Sequence, residues 1–157
     1  MLVGCTTSDE PYLTTEELAE QKGCEIMDAI MSNNEDTIKG FLCQAIKDEH
    51  RNLDEEIHEL YQFINGDIVT FDEPIGSPSG GTTTAEDGWV ERRVSGDIRH
   101  IKTTTIKEYN IHYVLYLINK EHPELLGISR IYVVVDGAEH DPVAGYAPED
   151  WRVIELE

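Results

Sequence analysis

The chain has 157 residues, 39% of them hydrophobic, which suits one globular domain with a sizeable core rather than a disordered chain. Its formal net charge of −20 repels nucleic-acid phosphates, so we expect no nucleic-acid partner, and the acid either keeps the protein soluble or attracts cationic partners. The sequence contains no run of about 18 apolar residues, so it predicts no membrane-spanning helix.

Residues 1–13 are predicted to form a tether that carries one notable cysteine. The segment Leu2-Val3-Gly4-Cys5 precedes a polar, acidic stretch. A leucine, a small residue and then cysteine resembles the processing site of bacterial lipoproteins. The resemblance implies that Cys5 carries a lipid, starts the mature chain and anchors it to the cell membrane on the extracytoplasmic side. A chance match is the alternative.

Residues 14–64 predict three helices. The first helix is predicted to start at a hydroxyl cap, Thr14 or Thr15, and to end near Met31. The second is capped by Asn34, and its apolar spacing continues to Ile46. The third runs from Leu53 to Ile64 and ends before Gly66. Cys24 and Cys43 fall on apolar faces of the first two helices, where a free cysteine usually acts as a small buried hydrophobe. A disulfide between them remains open at this point.

Residues 67–105 predict short strands around a long polar loop. Strands are expected at Ile68–Phe71, Trp89–Val94 and Ile98–Thr105, from their content of β-branched and aromatic residues. Residues 74–87 are glycine, serine, threonine and proline with little apolar content, so we expect a mobile loop there. The tail, residues 137–157, predicts one further short strand at Arg152–Ile154.

The strongest pattern is a hairpin of two long antiparallel strands between Tyr109 and Asp136, interrupted at Pro123. Its period of two predicts one face directed at the helices, made of Ile111, Tyr113, Leu115, Leu117, Ile131, Val133 and Val135. The opposite face carries His112, Val114, Tyr116, Ile118, Arg130, Tyr132 and Val134. That face is too apolar for an ordinary solvated sheet, and tyrosine and arginine are favoured at interface centres.

We therefore predict a partner-binding face at His112, Tyr116, Arg130 and Tyr132, for a second copy of the chain or another protein. In the alternative, residues 74–87 or the tail around Trp151 fold back and cover this face.

Catalytic and metal motifs are weak in this sequence. The six histidines show no zinc-ligand spacing, and the carboxylates of the third helix are typical of a solvated face. The sequence also contains no nucleophile motif. We therefore expect no metal or cofactor. His112 could meet Asp97 or Asp136 across strands as an acid–base pair. A small pocket enzyme of isomerase or hydrolase type, with His112 or His100 as base, is thus the second hypothesis beside a module that binds a small ligand or a protein.

The element order predicts an α+β fold, with three N-terminal helices packed on a curved antiparallel sheet of four to six strands. This order resembles the cone of the nuclear transport factor two-like (cystatin-like) superfold. Three segments resemble the bacterial lipoprotein family named domain of unknown function 5104: residues 53–69, 96–103 and 116–128. The resemblance spans about residues 14–136 and implies an exported, anchored protein with no assigned activity. Residues 14–157 are expected to form one domain.

Overall fold

The computed structural model describes residues 13–86, 88–138 and 149–156. In this part of the chain the helices are α1 (Thr15–Met31), α2 (Glu35–Phe41), α3 (Gln44–Glu49) and α4 (Leu53–Phe63). The strands are β1 (Ile68–Thr70), β2 (Ile75–Thr84), β3 (Gly88–Thr103), β4 (Glu108–Asn119), β5 (Gly127–Val135) and β6 (Trp151–Glu155), and a short 3₁₀ turn, Pro123–Leu125, joins β4 to β5. The fold is α+β, as expected.

The first helix begins where its sequence predicts. The Thr14 hydroxyl accepts a hydrogen bond from the amide of Glu17, and the Glu17 carboxylate accepts one from the amide of Thr14 at 2.7 Å. This capping box satisfies two amides that would otherwise lack partners at the helix start. Helix α4 also matches its predicted range to within one residue.

The expectation of three helices is wrong, because the second predicted helix is divided into α2 and α3. Leu42 adopts an extended backbone, and the amide of Cys43 donates to the carbonyl of Ile128 at 2.9 Å. Leu42 and Ile128 form an isolated parallel bridge. The helix breaks because its backbone is recruited by β5, a long-range contact that helical spacing cannot reveal.

The six strands form one open sheet in the order β1-β3-β4-β5-β6, and β2 also pairs with β3. All pairings between these strands are antiparallel. The expected loop at 74–87 is wrong, because residues 75–84 form strand β2 along β3. Most of its side chains are exposed, so the strand depends on backbone pairing and shows no apolar alternation.

The two short strands expected at Trp89–Val94 and Ile98–Thr105 are one 16-residue strand, β3. Its pairing with β4 shifts register between Ile98 and Ile101, where His100 has a φ of 50°. Such an irregularity bends a strand without ending it. The bend lets one strand pair first with β2 and then with β1.

The hairpin face predicted to contact the helices does so. Ile111, Tyr113 and Leu115 on β4 and Ile131 and Val133 on β5 are buried, while Leu117 and Val135 are half-buried at the margins.

Tyr113 joins the sheet to α1, because its hydroxyl donates a hydrogen bond to the carbonyl of Ala19. Two glycines make room for this side chain. A Cβ built on Gly96 would lie 2.0 Å from the Tyr113 ring, and one on Gly23 would lie 2.5 Å from the Pro74 Cβ and 2.6 Å from the Tyr113 hydroxyl. Gly23, a weak helix former, is therefore required by packing.

Strand β6 forms one edge of the sheet, at the strand position predicted in the tail. His50, at the end of α3, bonds through Nε2 to the Glu155 carbonyl at 2.8 Å and through Nδ1 to Glu56 at 2.6 Å. Burial lowers the pKa of His50, but these two bonds and the charge of Glu56 outweigh it and raise the pKa.

Several expectations fall outside the described residues, namely the tether with Cys5 and residues 139–148 of the tail. Cys43 is a buried free thiol, so it forms no disulfide with Cys24. Within the described ranges, no helix is both long and apolar enough to span a bilayer.

Candidate functional site

The four predicted partner-binding residues lie together on the sheet face turned away from the helices, which we call the outer face. Register places Asp97 of β3, His112 of β4, Tyr132 of β5 and Val153 of β6 side by side in one row. The next row holds Ser95, Val114, Arg130 and Glu155. The alternation of β4 places Tyr116 beyond that second row.

The outer-face cluster, which comprises His112, Tyr116, Arg130 and Tyr132, is partly exposed. The side chain of His112 is 23% exposed and that of Arg130 is 45% exposed, and both tyrosines are half-buried. The Arg130 guanidinium carbon lies 5.2 Å from the Tyr132 ring centroid, within the range of a cation–π contact. The Tyr132 and His112 ring centroids are 5.0 Å apart. These contacts hold three of the four side chains in a fixed arrangement.

His112 is oriented by the carboxylate predicted to meet it. Its Nδ1 lies 2.8 Å from Oδ1 of Asp97. This hydrogen bond lowers the pKa of Asp97, against the opposing effect of burial, and the charges of His112 and Arg99 lower it further. Asp97 therefore stays ionised at neutral pH and holds the imidazole ring in one orientation.

The other acid–base pairing proposed from the sequence does not form. Asp136 accepts a hydrogen bond from the Asn110 side-chain amide at 2.7 Å. His100 lies at the bend of β3, where its Nδ1 is 2.6 Å from Asp72. The hydrogen bond to Asp72 raises the pKa of His100, which makes this histidine a poorer base at neutral pH.

Residues 75–84 do not cover the outer face, because β2 lies within the sheet beside β3. The tail contributes Trp151, which pairs with Val134 on β5 at one end of the face. Val134 is 8% exposed, so the face is closed at that end and open around Tyr116 and Arg130.

Arg93 is a member of this surface that sequence reasoning missed. It pairs with Tyr116 in register, and its Nη1 donates to the Tyr116 hydroxyl at 3.4 Å. Arg93, Tyr116 and Arg130 line a groove of about 230 Å³. The sequence placed Arg93 in a strand but gave no sign of which residue lies opposite, because that depends on a register shift between Arg92 and Arg93.

A larger cleft of about 1030 Å³ was also missed. It lies between the end of α4, the α1–α2 connection, the turn before β4 and the start of β6, and it includes the aromatic residues Tyr61, Phe63 and Tyr109. The lining residues come from four separate segments of the chain. The sequence contains no local signal for the cleft.

Several polar groups of this cleft already have hydrogen-bond partners within the protein. His58 bonds through Nδ1 to Glu35 and through Nε2 to Gln62, both at 2.8 Å. The Tyr61 hydroxyl donates to the Asn34 carbonyl, and the Tyr109 hydroxyl accepts from the amide of Asn65. Burial raises the pKa of Tyr61, so its hydroxyl stays protonated. These bonds fit a structural role better than a catalytic one.

Among the residues that the structure describes, no group of three or more histidine, cysteine, aspartate or glutamate side chains could hold a metal ion.

No curated protein matches the chain. The family model described as Domain of unknown function (DUF5104) matches residues 25–136, well over half of the chain, from within α1 to the end of β5. The match includes every residue of the outer-face cluster and the paired Asp97. The chain therefore belongs to the DUF5104 family.

Proposed function

We propose that this protein is a binding module that holds a partner protein against the outer face of its sheet. One observation carries the proposal: His112, Tyr116, Arg130 and Tyr132 share one partly exposed face, and contacts among His112, Arg130 and Tyr132 fix the orientations of these three before any partner arrives. Preorganised aromatic and arginine side chains lose little entropy on binding and are common at the centres of interfaces.

Site-specific photo-crosslinking in the native cell tests the proposal. A photoreactive amino acid at Tyr132 should give a discrete adduct, because this position faces the partner. The same group at Ile106, which is fully exposed in the turn before β4, is the matched control and should give none. The adduct mass tells a second copy of the chain from a different protein. Equal adducts at both positions, or none at Tyr132, would contradict the proposal.

The Asp97–His112 pair supports a second candidate, a pocket enzyme with His112 as general base. A carboxylate that orients histidine through Nδ1 is the arrangement that leaves Nε2 to take a proton. Against this candidate, the pair lies on an open sheet face, whereas general-base catalysis gains most in a closed, water-excluded site. A substrate-screening assay in which His112→Gln abolishes an activity that wild type shows would favour the enzyme.

We also propose that the sheet and helices form a cone of the nuclear transport factor two-like kind. Support comes from the irregularity of β3 at His100, where the pairing with β4 shifts register, because such irregularities bend a sheet. In such a cone a pocket lies inside, but here Tyr113, Ile131 and Val133 fill the inner face. This filling is one more reason to place the binding surface outside. A crystal structure with a flat sheet would refute the cone.

Lipid anchoring at Cys5 on the extracytoplasmic side completes the proposal, and its support is the lipoprotein-like segment Leu2-Val3-Gly4-Cys5. Metabolic labelling with a fatty-acid analogue should mark the wild type and Cys24→Ser, but not Cys5→Ser. Absence of label in the wild type would refute the anchor. A mass increment on the Cys5 peptide that disappears on reduction would also refute it, because it would show a disulfide at this residue.

A further inference from the structure

The groove of about 230 Å³ on the outer face differs in chemistry from the rest of that surface. Two arginines, Arg93 and Arg130, face it, and Tyr116 and Ser129 add hydroxyl groups. Its volume is below the roughly 300–1,000 Å³ of sites that enclose a drug-sized ligand. It is large enough for one side chain.

Arg93 has only weak partners around the groove. Its Nε is enclosed by protein, and within the described residues no acceptor lies within hydrogen-bonding distance of it. The carboxylate of Glu91 is 3.9 Å away, and the hydrogen bond from Nη1 to Tyr116 is long, at 3.4 Å. The Arg93 side chain as a whole is 42% exposed, so the outer part of its guanidinium can take a stronger acceptor than these two.

The guanidinium is nevertheless held in place. Arg93 lies against Gly80 of β2, where a Cβ would stand 3.1 Å from Nε, and its guanidinium carbon is 6.0 Å from the Tyr116 ring centroid. The planar guanidinium presents donors in a fixed fork that matches a carboxylate. The apolar side chains of Leu125 and Leu156 also line the groove and suit the methylene stem of an acidic residue.

Charge selects a monoanion. Arg130 is already paired with Glu155, at 2.9 Å between Nε and Oε2, so the lining carries two arginines and one carboxylate. A single carboxylate adds the least negative charge beside Glu91 and Glu155, whereas a phosphate dianion would add more.

We propose that this groove binds the carboxylate of an aspartate or glutamate side chain of a partner protein, with Arg93 as the main contact. The inference rests on the proposed function and names the partner chemistry at that face. We take the partner to be a protein other than this chain, because two copies would each bring a net charge of −20 to the contact. Charge supports the orientation: residues 88–135 hold seven basic and five acidic side chains, whereas residues 14–64 hold four and thirteen. The central strands of the sheet are therefore less repulsive to an acidic partner than the helices are.

The experiment follows the side-chain Nε–H resonances of arginine by NMR on the isotope-labelled full chain. The probe is blocked glutamate (N-acetyl-glutamate N-methylamide), and the matched control is blocked glutamine, which has the same shape without charge. Glutamate should shift the Arg93 resonance saturably at millimolar concentration, and glutamine should not. Arg99, outside the groove lining, should stay unshifted, and Tyr116→Phe should weaken binding a few-fold.

Three results would overturn the inference. They are an equal shift with blocked glutamine, a uniform shift of all arginine resonances, and a shift of Arg93 when unlabelled copies of the same chain are added. The photo-crosslinked partner separates this inference from the proposed function. If Tyr132→Ala abolishes partner binding while Arg93→Gln leaves it unchanged, the outer face binds the partner but the groove does not take its carboxylate.

Discussion

Two tyrosines three residues apart on β4 have opposite surroundings. Tyr113 is fully buried, its ring lies against Gly96, and its hydroxyl bonds to α1. Tyr116 points the other way, half-exposed, with its hydroxyl bonded to Arg93. The same side chain therefore stabilises the fold on one face and remains available for binding on the other. The residue opposite on β3 decides the role. Tyr113 faces Gly96, which leaves room for its ring, whereas Tyr116 faces the cationic side chain of Arg93.

The largest contrast between the two faces should appear on truncating neighbouring aliphatic residues. Leu115, on the inner face, is 6% exposed, and Leu115→Ala should cost about 2–5 kcal/mol because it leaves a cavity. Val114→Ala, on the half-exposed outer face, should cost less than about 1 kcal/mol. Urea denaturation of both variants measures the difference. A loss below about 0.5 kcal/mol for Leu115→Ala would mean that the faces are inverted.

The tight packing around Tyr113 can be tested with two helical glycines. Gly23→Ala should destabilise by about 1–3 kcal/mol, because the added Cβ would overlap Pro74 and the Tyr113 hydroxyl. Gly40→Ala makes the same change in α2, where a Cβ meets nothing within 4 Å, and should stabilise by up to about 1 kcal/mol. Thermal unfolding of the pair gives the sign of each effect. Two shifts in the same direction would contradict the inner-face packing.

The smallest expected effect is on the outer face, in the pH dependence of stability. The pKa of Asp97 is lowered in the folded protein, chiefly by its hydrogen bond with His112. The contribution of this ion pair is therefore present above the unfolded pKa, near 3.8, and is lost as pH falls through the folded pKa. When the pH is lowered below about 4, Asp97→Asn should therefore lose less folding free energy than the wild type does. The difference between the two losses should be less than about 1 kcal/mol. Parallel acid-unfolding curves would show that the pair adds nothing.

The sequence predicted the central hairpin well, because its two faces differ and a period of two records the difference. It also offered Asp97 as one of two possible partners of His112, although Asp97 fell between two predicted strands. Strand β2 was missed for the converse reason: both its faces are largely exposed, so its glycines, serines and threonines show no alternation. The division of α2 from α3 was missed because its cause, the carbonyl of Ile128, lies 85 residues away from Cys43.

The candidate site was predicted as a face but not as a groove. Alternation along one strand tells which side chains share a face, and this was enough for Tyr116, Arg130 and Tyr132. A groove depends on the register between strands, and the shift between Arg92 and Arg93 sets which arginine meets Tyr116. Irregularities of this kind arise from tertiary packing and have no period to detect.

The junction at Cys43 allows the opening of the two layers to be timed. Its amide is bonded to β5 and its thiol is fully buried, so one residue carries two independent probes of opening. Hydrogen exchange at the amide reports separation of the helix layer from the sheet, and alkylation of the thiol reports entry of reagent into the core. If both reactions proceed with the same opening free energy, helices and sheet open as one cooperative unit.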